Sequence, residues 1–275
     1  MHRQRFDATD ALKERIRAIA AGDLEAAVPR PASTVVLLRD GATGPEVYLL
    51  LRHRGMAFAA GVHVFPGGGV DARDAEPLPG WHGPDAAWWG EHLGCDAASA
   101  HALVVAAVRE TFEESGVLLA GTDGSHVVPD TTGEEWEAHR LALVDHDQSL
   151  AQVLSAHDLV LRADLLSPWA HWITPEVEPR RYDTFFFVAA LPEGQRTRDV
   201  STESEQVRWI PLAEVDGDLA MMPPTRITCE QLGAHASVAD ARTAAVGRPV
   251  PVVAPRMVLE SDDVYLVRDE VQEER

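Results

Sequence analysis

Three glutamates, Glu110, Glu113 and Glu114, stand at positions i, i+3 and i+4 of a segment with helical character. At 3.6 residues per turn their side chains share one face of a helix. Like charges at this spacing destabilise a helix by about 0.2–0.5 kcal/mol per pair. A cation bound between the carboxylates would replace this repulsion with attraction. Hard dications such as Mg²⁺ and Mn²⁺ prefer carboxylate oxygens. The pattern therefore indicates either a metal site or the solvated acidic face of an amphipathic helix.

The other face of the same segment is apolar. Val104 or Val105, Val108 and Phe112 recur at intervals of three to four residues, which is the pattern of a helix packed on a core. Gly116 is suited to end this helix, because glycine readily adopts the left-handed conformation of a C-terminal cap. We therefore predict a helix with a buried back that holds its acidic cluster toward a cleft.

A glycine turn lies upstream, in the run Val64-Phe65-Pro66-Gly67-Gly68-Gly69. Its glycines can adopt backbone conformations closed to other residues and let a main-chain carbonyl face a metal site. As a phosphate-binding loop the run is a weak signal, because it lacks the Lys and Ser/Thr that follow in a P-loop. Its meaning depends on the helix that comes after it.

Residues 109–117 read RETFEESGV and resemble, position by position, the R-E-U-x-E-E-x-G-U signature of the Nudix hydrolases, with Thr111 at the usually aliphatic third position. The glycine turn resembles the other half of that signature. One departure is the length between the halves, since residues 75–108 separate Asp74, at the place of the family's first box glutamate, from Arg109. Residues 71–100 are therefore interpreted as an insertion.

This resemblance implies an α/β (α+β) architecture, the Nudix fold, in which a mixed β-sheet is sandwiched between helices (an α/β/α sandwich), here with helical insertions. We expect residues 1–275 to form a single domain. Besides the insertion, its additions are an N-terminal helical extension at 1–30 and C-terminal helices and a hairpin at 211–275.

The chain pattern agrees with this order of elements. Residues 33–39 and 46–52 are predicted to form a hairpin ahead of the glycine turn. Further helices are predicted at 85–93, 134–144, 150–156, 227–236 and 238–245, and further strands at 165–175, 180–189 and 203–212. Asp96 or Ser99 is expected to cap the acidic helix. The tryptophans of the insertion, Trp81, Trp88 and Trp89, either cover a substrate or pack the insertion onto the domain.

The resemblance also implies roles for individual residues. Glu110, Glu113 and Glu114 would hold Mg²⁺ or Mn²⁺, and a main-chain carbonyl at Gly67 or Gly68 would complete the metal's ligands. Arg109 would orient a glutamate of the cluster through a charge-assisted hydrogen bond. The general base is left open between Glu110 and Glu203, which precedes an R-W-I-P run as in many family members, with Glu205 as its neighbour.

The substrate implied by the family is a small nucleoside diphosphate linked to another moiety. The long insertion, the run Gly61–Gly68 and the pattern from Thr174 to Phe187 resemble the coenzyme A diphosphatase subgroup. In that subgroup coenzyme A or acyl-CoA is cut to 3′,5′-ADP and (acyl-)phosphopantetheine. The subgroup usually carries an arginine shortly before Gly61, where residues 57–60 read AFAA. ADP-ribose, NADH and nucleoside diphosphate sugars therefore remain alternative substrates.

Four arginines are candidate substrate ligands. Arg52 and Arg54 precede the glycine turn, and Arg180 and Arg181 open a predicted strand. Guanidinium groups suit bidentate recognition of phosphate. A structural ion pair with a neighbouring glutamate is the alternative for the second pair.

Composition limits the partners. The formal charge is −20, from 24 basic and 44 acidic residues, which repels nucleic acid. No apolar run is long enough to span a membrane, and the N-terminus lacks the apolar stretch of a signal peptide. Two cysteines in unrelated contexts suggest reduced thiols. We therefore expect a cytoplasmic protein with no nucleic-acid or membrane partner, for which the family's habits also suggest a homodimer.

Two other classes of function are consistent with an acidic helix. A Nudix-fold module that binds a nucleotide without cutting it commonly loses box glutamates or carries a DNA-binding domain. A scaffold protein could carry the acidic helix without any chemistry. This chain keeps all three glutamates and shows no helix-turn-helix pattern, so hydrolysis is the preferred hypothesis.

Overall fold

A computed structural model describes residues 2–6, 8–55, 59–201, 204–215 and 217–268. Its helices are α1 (Asp10–Ala21), α2 (Ala86–Leu93), α3 (Ala97–Ser115), α4 (Glu134–Val144), α5 (Leu150–Ala156), α6 (Pro223–Leu232) and α7 (Val238–Ala245). Its strands are β1 (His2–Phe6), β2 (Arg30–Gly41), β3 (Gly44–Arg52), β4 (His63–Val64), β5 (Gly67–Gly69), β6 (Trp81–His82), β7 (Ala120–Gly121), β8 (Val160–Arg162), β9 (Leu166–Ile173), β10 (Tyr182–Ala190), β11 (Ser204–Pro211), β12 (Val252–Val253), β13 (Arg256–Glu260) and β14 (Asp263–Arg268).

The chain divides into two compact units. The larger unit contains residues 32–170 and 185–250, and the smaller contains residues up to 31, residues 171–184 and residues from 251 onward. The acidic helix, the glycine turn and the insertion all belong to the larger unit. The prediction of a single domain remains a prediction.

The larger unit is built on a sheet whose long strands run in the order β11-β3-β2-β10-β9. β2 and β3 form the predicted hairpin, and β11 pairs antiparallel with β3. The short strand β5 pairs antiparallel with β2, opposite residues 32–34. The three glycines of the turn are thereby held as an extended edge beside the first strand of the hairpin.

Helix α3 lies against one face of this sheet. Val35 and Leu37 of β2 belong to the same buried cluster as Val104, Val108 and Phe112 of α3. The intervening Val36 and Leu38 point to the opposite face, because side chains alternate along a strand, and they are equally buried. Both faces of the sheet are therefore covered, as the predicted sandwich requires.

The insertion packs onto the larger unit through its tryptophans. Trp89 is 0% exposed and meets Phe187 of β10 at a tilted angle, with 5.7 Å between ring centroids. Trp88 stacks on His92, and Trp81 stacks on His101 at 5.3 Å. Of the two roles that the sequence left open for these rings, the structure shows the packing role.

The smaller unit has its own small core. β1, β14 and β13 form an antiparallel sheet, in which β13 and β14 are the C-terminal hairpin. Ile16 of α1 packs with Val177 and Val264. β12 pairs parallel with the end of β9, which makes the larger sheet a mixed one.

Helix boundaries follow local signals closely. The predictions for 134–144, 150–156 and 238–245 are confirmed. The prediction of a helix at 227–236 is wrong in its limits, because α6 begins at Pro223 and ends at Leu232. Prolines are favoured in the first turn of a helix, where the backbone N–H has no intrahelical partner. Among the described residues, no helix is long and apolar enough to cross a membrane.

The packing of Trp89 makes a testable prediction about stability. Trp89→Ala should lower the free energy of unfolding by about 3–5 kcal/mol, because it opens a cavity between α2 and β10. Trp89→Phe is the matched control, since it keeps an aromatic ring and removes an indole N–H for which the described residues offer no hydrogen-bond partner. Urea unfolding curves measure both. Equal losses in the two variants would contradict the packing explanation.

Candidate functional site

Helix α3 is fixed at both ends by local hydrogen bonds. The Asp96 carboxylate accepts a hydrogen bond from the Ser99 N–H at 2.9 Å, which confirms Asp96 as the N-terminal cap. Gly116 ends the helix with φ of 73°, as predicted. Between these ends the apolar side chains are buried, and the Glu110, Glu113 and Glu114 side chains lie on a separate, acidic face of the helix.

The glycine strand β5 lies directly against these glutamates. The Gly67 N–H donates to Oε2 of Glu114 at 2.8 Å. A Cβ atom on Gly68 would lie 2.6 Å from Cδ of Glu110, and one on Gly67 would lie 2.6 Å from the Ser33 carbonyl oxygen. A side chain at residue 67 would therefore meet the backbone of β2, and one at residue 68 would displace the Glu110 carboxylate.

Arg109 is the centre of a buried hydrogen-bond network. Its Nε and Nη2 donate to the two oxygens of Asp74, both at 2.8 Å. Nη1 donates to Glu110 at 2.7 Å and to Glu113 at 3.1 Å, and Nη2 also donates to the Gly69 carbonyl at 2.9 Å. These bonds use the five donors of a guanidinium group. Arg109 is 6% exposed and Asp74 is 1% exposed.

The cluster contains four carboxylates and one guanidinium. Burial raises the pKa of Glu110 and of Glu113, while the charge of Arg109 acts in the opposite direction. Burial alone would lower the pKa of Arg109, but its carboxylate partners outweigh burial and raise that pKa. The site therefore has more negative charge than Arg109 can balance.

This donor set fits a hard divalent cation. Carboxylate oxygens from Glu110, Glu113 and Glu114 are the ligands that Mg²⁺ and Mn²⁺ accept, and positive charge is what the cluster lacks. Glu110 and Glu113 hydrogen-bond to Arg109 and Glu114 to the Gly67 N–H, so each carboxylate has an oriented position. The predicted metal role of a Gly67 carbonyl remains a prediction, since the contact observed is made by its N–H.

A second arginine supports the last turn of α3. Arg140 of α4 is 3% exposed, and its Nη1 donates to the Glu113 carbonyl at 2.9 Å. The last carbonyls of a helix lack intrahelical partners and favour cations. No local sequence pattern connects Arg140 with residue 113, so this contact is visible only in the folded chain.

Several predicted residues lie elsewhere in the larger unit. Arg52 ends β3 and pairs with Ser204 of β11. Glu205 accepts from the Arg54 N–H at 3.3 Å, and its carboxylate lies 3.6 Å from the His53 ring. Glu203, the alternative general base, lies outside the described residues. Substrate binding by Arg52 and Arg54 remains a prediction.

The second arginine pair belongs to the smaller unit. Arg181 donates to the carbonyl oxygens of Thr174 and Ala27, at 3.0 and 2.7 Å, so the partners found for it in the described part of the chain are backbone groups. Arg180 and Arg181 line a cleft of about 690 Å³ together with Arg30 and Tyr182. Their role in substrate binding remains a prediction.

The buried ion pair of Asp74 and Arg109 makes a prediction about stability. Asp74→Ala should lower the free energy of unfolding by about 3–5 kcal/mol, since it removes two hydrogen bonds from a buried charge. Asp71→Ala is a suitable control, because it removes a more exposed cap of the same turn and should cost about 1 kcal/mol. Urea unfolding compares the two. An Asp74→Ala protein as stable as the control would contradict this assignment.

Comparison with known proteins finds similar Nudix domains. Residues 90–222 match the family model described as the NUDT19 Nudix domain. Acyl-coenzyme A diphosphatase NUDT19 of Xenopus laevis is 26% identical over 208 residues, which cover 60% of this chain and 52% of that protein. The putative nudix hydrolase 7 of Caenorhabditis elegans is 31% identical over 202 residues, covering 71% of this chain and 57% of that protein. The chain thus spans about half the length of these curated relatives.

A solved structure agrees as well. The crystal structure of a NUDIX hydrolase from Alicyclobacillus acidocaldarius is 27% identical, covers 78% of this chain and 96% of its own, and superposes with a TM-score of 0.61. This confirms the predicted α/β fold with its mixed sheet. By its signature, its fold and these relatives, the chain belongs to the Nudix hydrolase family.

Proposed function

We propose that this protein is a metal-dependent hydrolase that cleaves the pyrophosphate bond of a nucleoside diphosphate linked to another moiety. The observation that carries the proposal is the buried network in which Arg109 binds Asp74, Glu110 and Glu113 beside the glycine strand. The carboxylates of this network outnumber its one guanidinium group. Those of Glu110 and Glu113 lie on α3, which carries the family signature.

The glutamates of α3 and Arg109 have different roles in the proposed reaction. Nudix hydrolases generally use divalent metals, and such an ion polarises phosphoryl oxygens and lowers the pKa of a coordinated water. Glu110, Glu113 and Glu114 would hold Mg²⁺ or Mn²⁺ in this protein. Arg109 fixes the rotamers of Glu110 and Glu113, so their carboxylates are oriented before the ion binds.

A general base must take a proton from the attacking water. Glu110 and Glu203 are the two candidates from the sequence. Burial raises the pKa of Glu110, which suits a base, whereas its hydrogen bond to Arg109 occupies one of its oxygens. Comparison of Glu110→Gln with Glu203→Gln decides between them. The base acts only when it is deprotonated, so only its loss removes the low-pH limb of the rate's pH profile.

Coenzyme A and acyl-CoA are the proposed substrates. Support comes from the sequence runs shared with the coenzyme A diphosphatase subgroup and from a relative named acyl-coenzyme A diphosphatase NUDT19. Hydrolysis would release 3′,5′-ADP and phosphopantetheine or its acyl form. ADP-ribose, NADH and nucleoside diphosphate sugars are the alternatives, because residues 57–60 lack the subgroup's arginine.

Product analysis tests the substrate class. The full chain is incubated with Mg²⁺ or Mn²⁺ and, separately, with coenzyme A, acetyl-CoA, ADP-ribose, NADH and UDP-glucose, and the products are identified by mass. We expect 3′,5′-ADP from the two coenzyme A compounds. If only ADP-ribose or NADH is cleaved, releasing AMP, the proposed reaction would stand and the proposed substrate would be wrong. No turnover with either metal would favour a binding module.

Substitution of the proposed metal ligands tests the mechanism. Glu113→Gln and Glu114→Gln should each lower kcat by about a hundredfold or more, since a bound metal supplies several kcal/mol and about 1.4 kcal/mol equals a factor of ten. Glu91→Gln, on the exposed side of α2, is the control and should keep wild-type kcat. Circular dichroism confirms folding. Full activity in the two helix variants would show that the metal ligands are misassigned.

The glycine strand offers a matched pair of substitutions. Gly68→Ala places a methyl group against the Glu110 carboxylate, so metal affinity and kcat should both fall at least about tenfold. Gly69→Ala adds the same methyl group at a position where, apart from its chain neighbours, no atom of the described residues lies within 4 Å, so its activity should stay near wild type. Steady-state kinetics over a range of Mg²⁺ concentrations compares them. Identical behaviour of the two variants would contradict a role for this close approach.

A further inference from the structure

A second group of potential metal ligands lies on α4 and just after α5. Glu135 and His139 are four residues apart on α4, so their side chains share one face. His157 follows the last residue of α5. One ligand atom from each of the three residues lies within 4.8 Å of the others. None of them belongs to the acidic cluster of α3.

The hydrogen bonds of the two histidines leave lone pairs available. Nδ1 of His139 lies 2.8 Å from Oε1 of Gln148, so Nδ1 carries the proton and Nε2 carries the lone pair. Nε2 of His157 is buried, and no hydrogen-bond partner is found for it among the described residues. A buried ring nitrogen without a partner costs free energy, which a ligand would recover.

The rings are held in place by aromatic contacts. His157 stacks on Trp136 with 4.2 Å between centroids, and His139 meets His157 edge to face at 5.0 Å. Trp136 in turn contacts Phe112 of α3 edge to face at 6.2 Å. The group therefore has fixed orientations and lies one aromatic layer behind the acidic helix.

We infer that Glu135, His139 and His157 bind one transition-metal dication, with Zn²⁺ as the best match. Two imidazoles and one carboxylate are a known ligand set of zinc, which accepts three protein ligands and a water. Imidazole favours Zn²⁺ over the hard cations that suit the all-oxygen set on α3. The hydrogen bond from His139 to Gln148 is the kind that orients a metal-binding imidazole.

Such an ion would join α4 to the chain segment that follows α5. Arg140, the next residue after His139, donates to the Glu113 carbonyl at the end of α3. Zinc bound here would therefore stabilise the helix that supports the proposed catalytic face, without contacting a substrate. Its effect should be seen in stability more than in chemistry.

Metal content measures the inference directly. The full chain is dialysed against Zn²⁺ with excess Mg²⁺, which competes for the oxygen ligands of α3, and its zinc is measured by mass spectrometry. We expect one Zn²⁺ per chain and a rise in Tm over the Mg²⁺-only protein. His139→Gln and His157→Gln should lose both. Glu134→Gln and His146→Gln, two exposed neighbours, are controls that should keep both.

Two further measurements keep the result clear if a histidine variant fails to fold. Gln148→Leu removes only the orienting group and should weaken zinc binding by about 10- to 100-fold. X-ray absorption of the zinc-loaded wild type should show nitrogen ligands at about 2.0–2.1 Å. The inference is overturned if the wild type retains no zinc. It is also overturned if Glu113→Gln and Glu114→Gln lose the zinc while the histidine variants retain it.

Discussion

A guanidinium group buried among carboxylates determines the geometry of the site. Arg109 could not remain buried without compensation, because an unpaired charge in the protein interior costs several kcal/mol. Its five donors bind Asp74 from the start of the insertion, Gly69 from the glycine strand, and Glu110 and Glu113 from its own helix. Three separate parts of the chain are thereby held at fixed positions around one charge.

This arrangement explains how the family signature tolerates a long insertion. Asp74 follows the glycine strand by only five residues, so the strand and the carboxylate are positioned together. The chain then leaves the site, forms α2, and returns as α3 with Arg109 facing Asp74. Trp89 packs the departing segment onto β10, so this part of the insertion extends the core.

Behind the acidic face, α3 is supported by polar and aromatic contacts of α4. Arg140 binds the Glu113 carbonyl, and Trp136 links Phe112 with His157. A hydrolase that handles several negative charges gains from a rigid support, because small displacements of a ligand weaken metal and substrate binding. The ligand group of Glu135, His139 and His157 adds a second place where a cation could strengthen this support.

The sequence by itself determined the elements and the chemistry of α3. Asp96 and Gly116 mark its ends, and the spacing of Glu110, Glu113 and Glu114 sets its acidic face, because caps and helical periodicity act within a few residues. Only the tertiary structure decided that Asp74 pairs with Arg109, that Gly68 lies against the Glu110 carboxylate, and that His157 lies beside His139. Those contacts join residues distant in the chain, and packing of the whole core, which no local pattern encodes, brings them together.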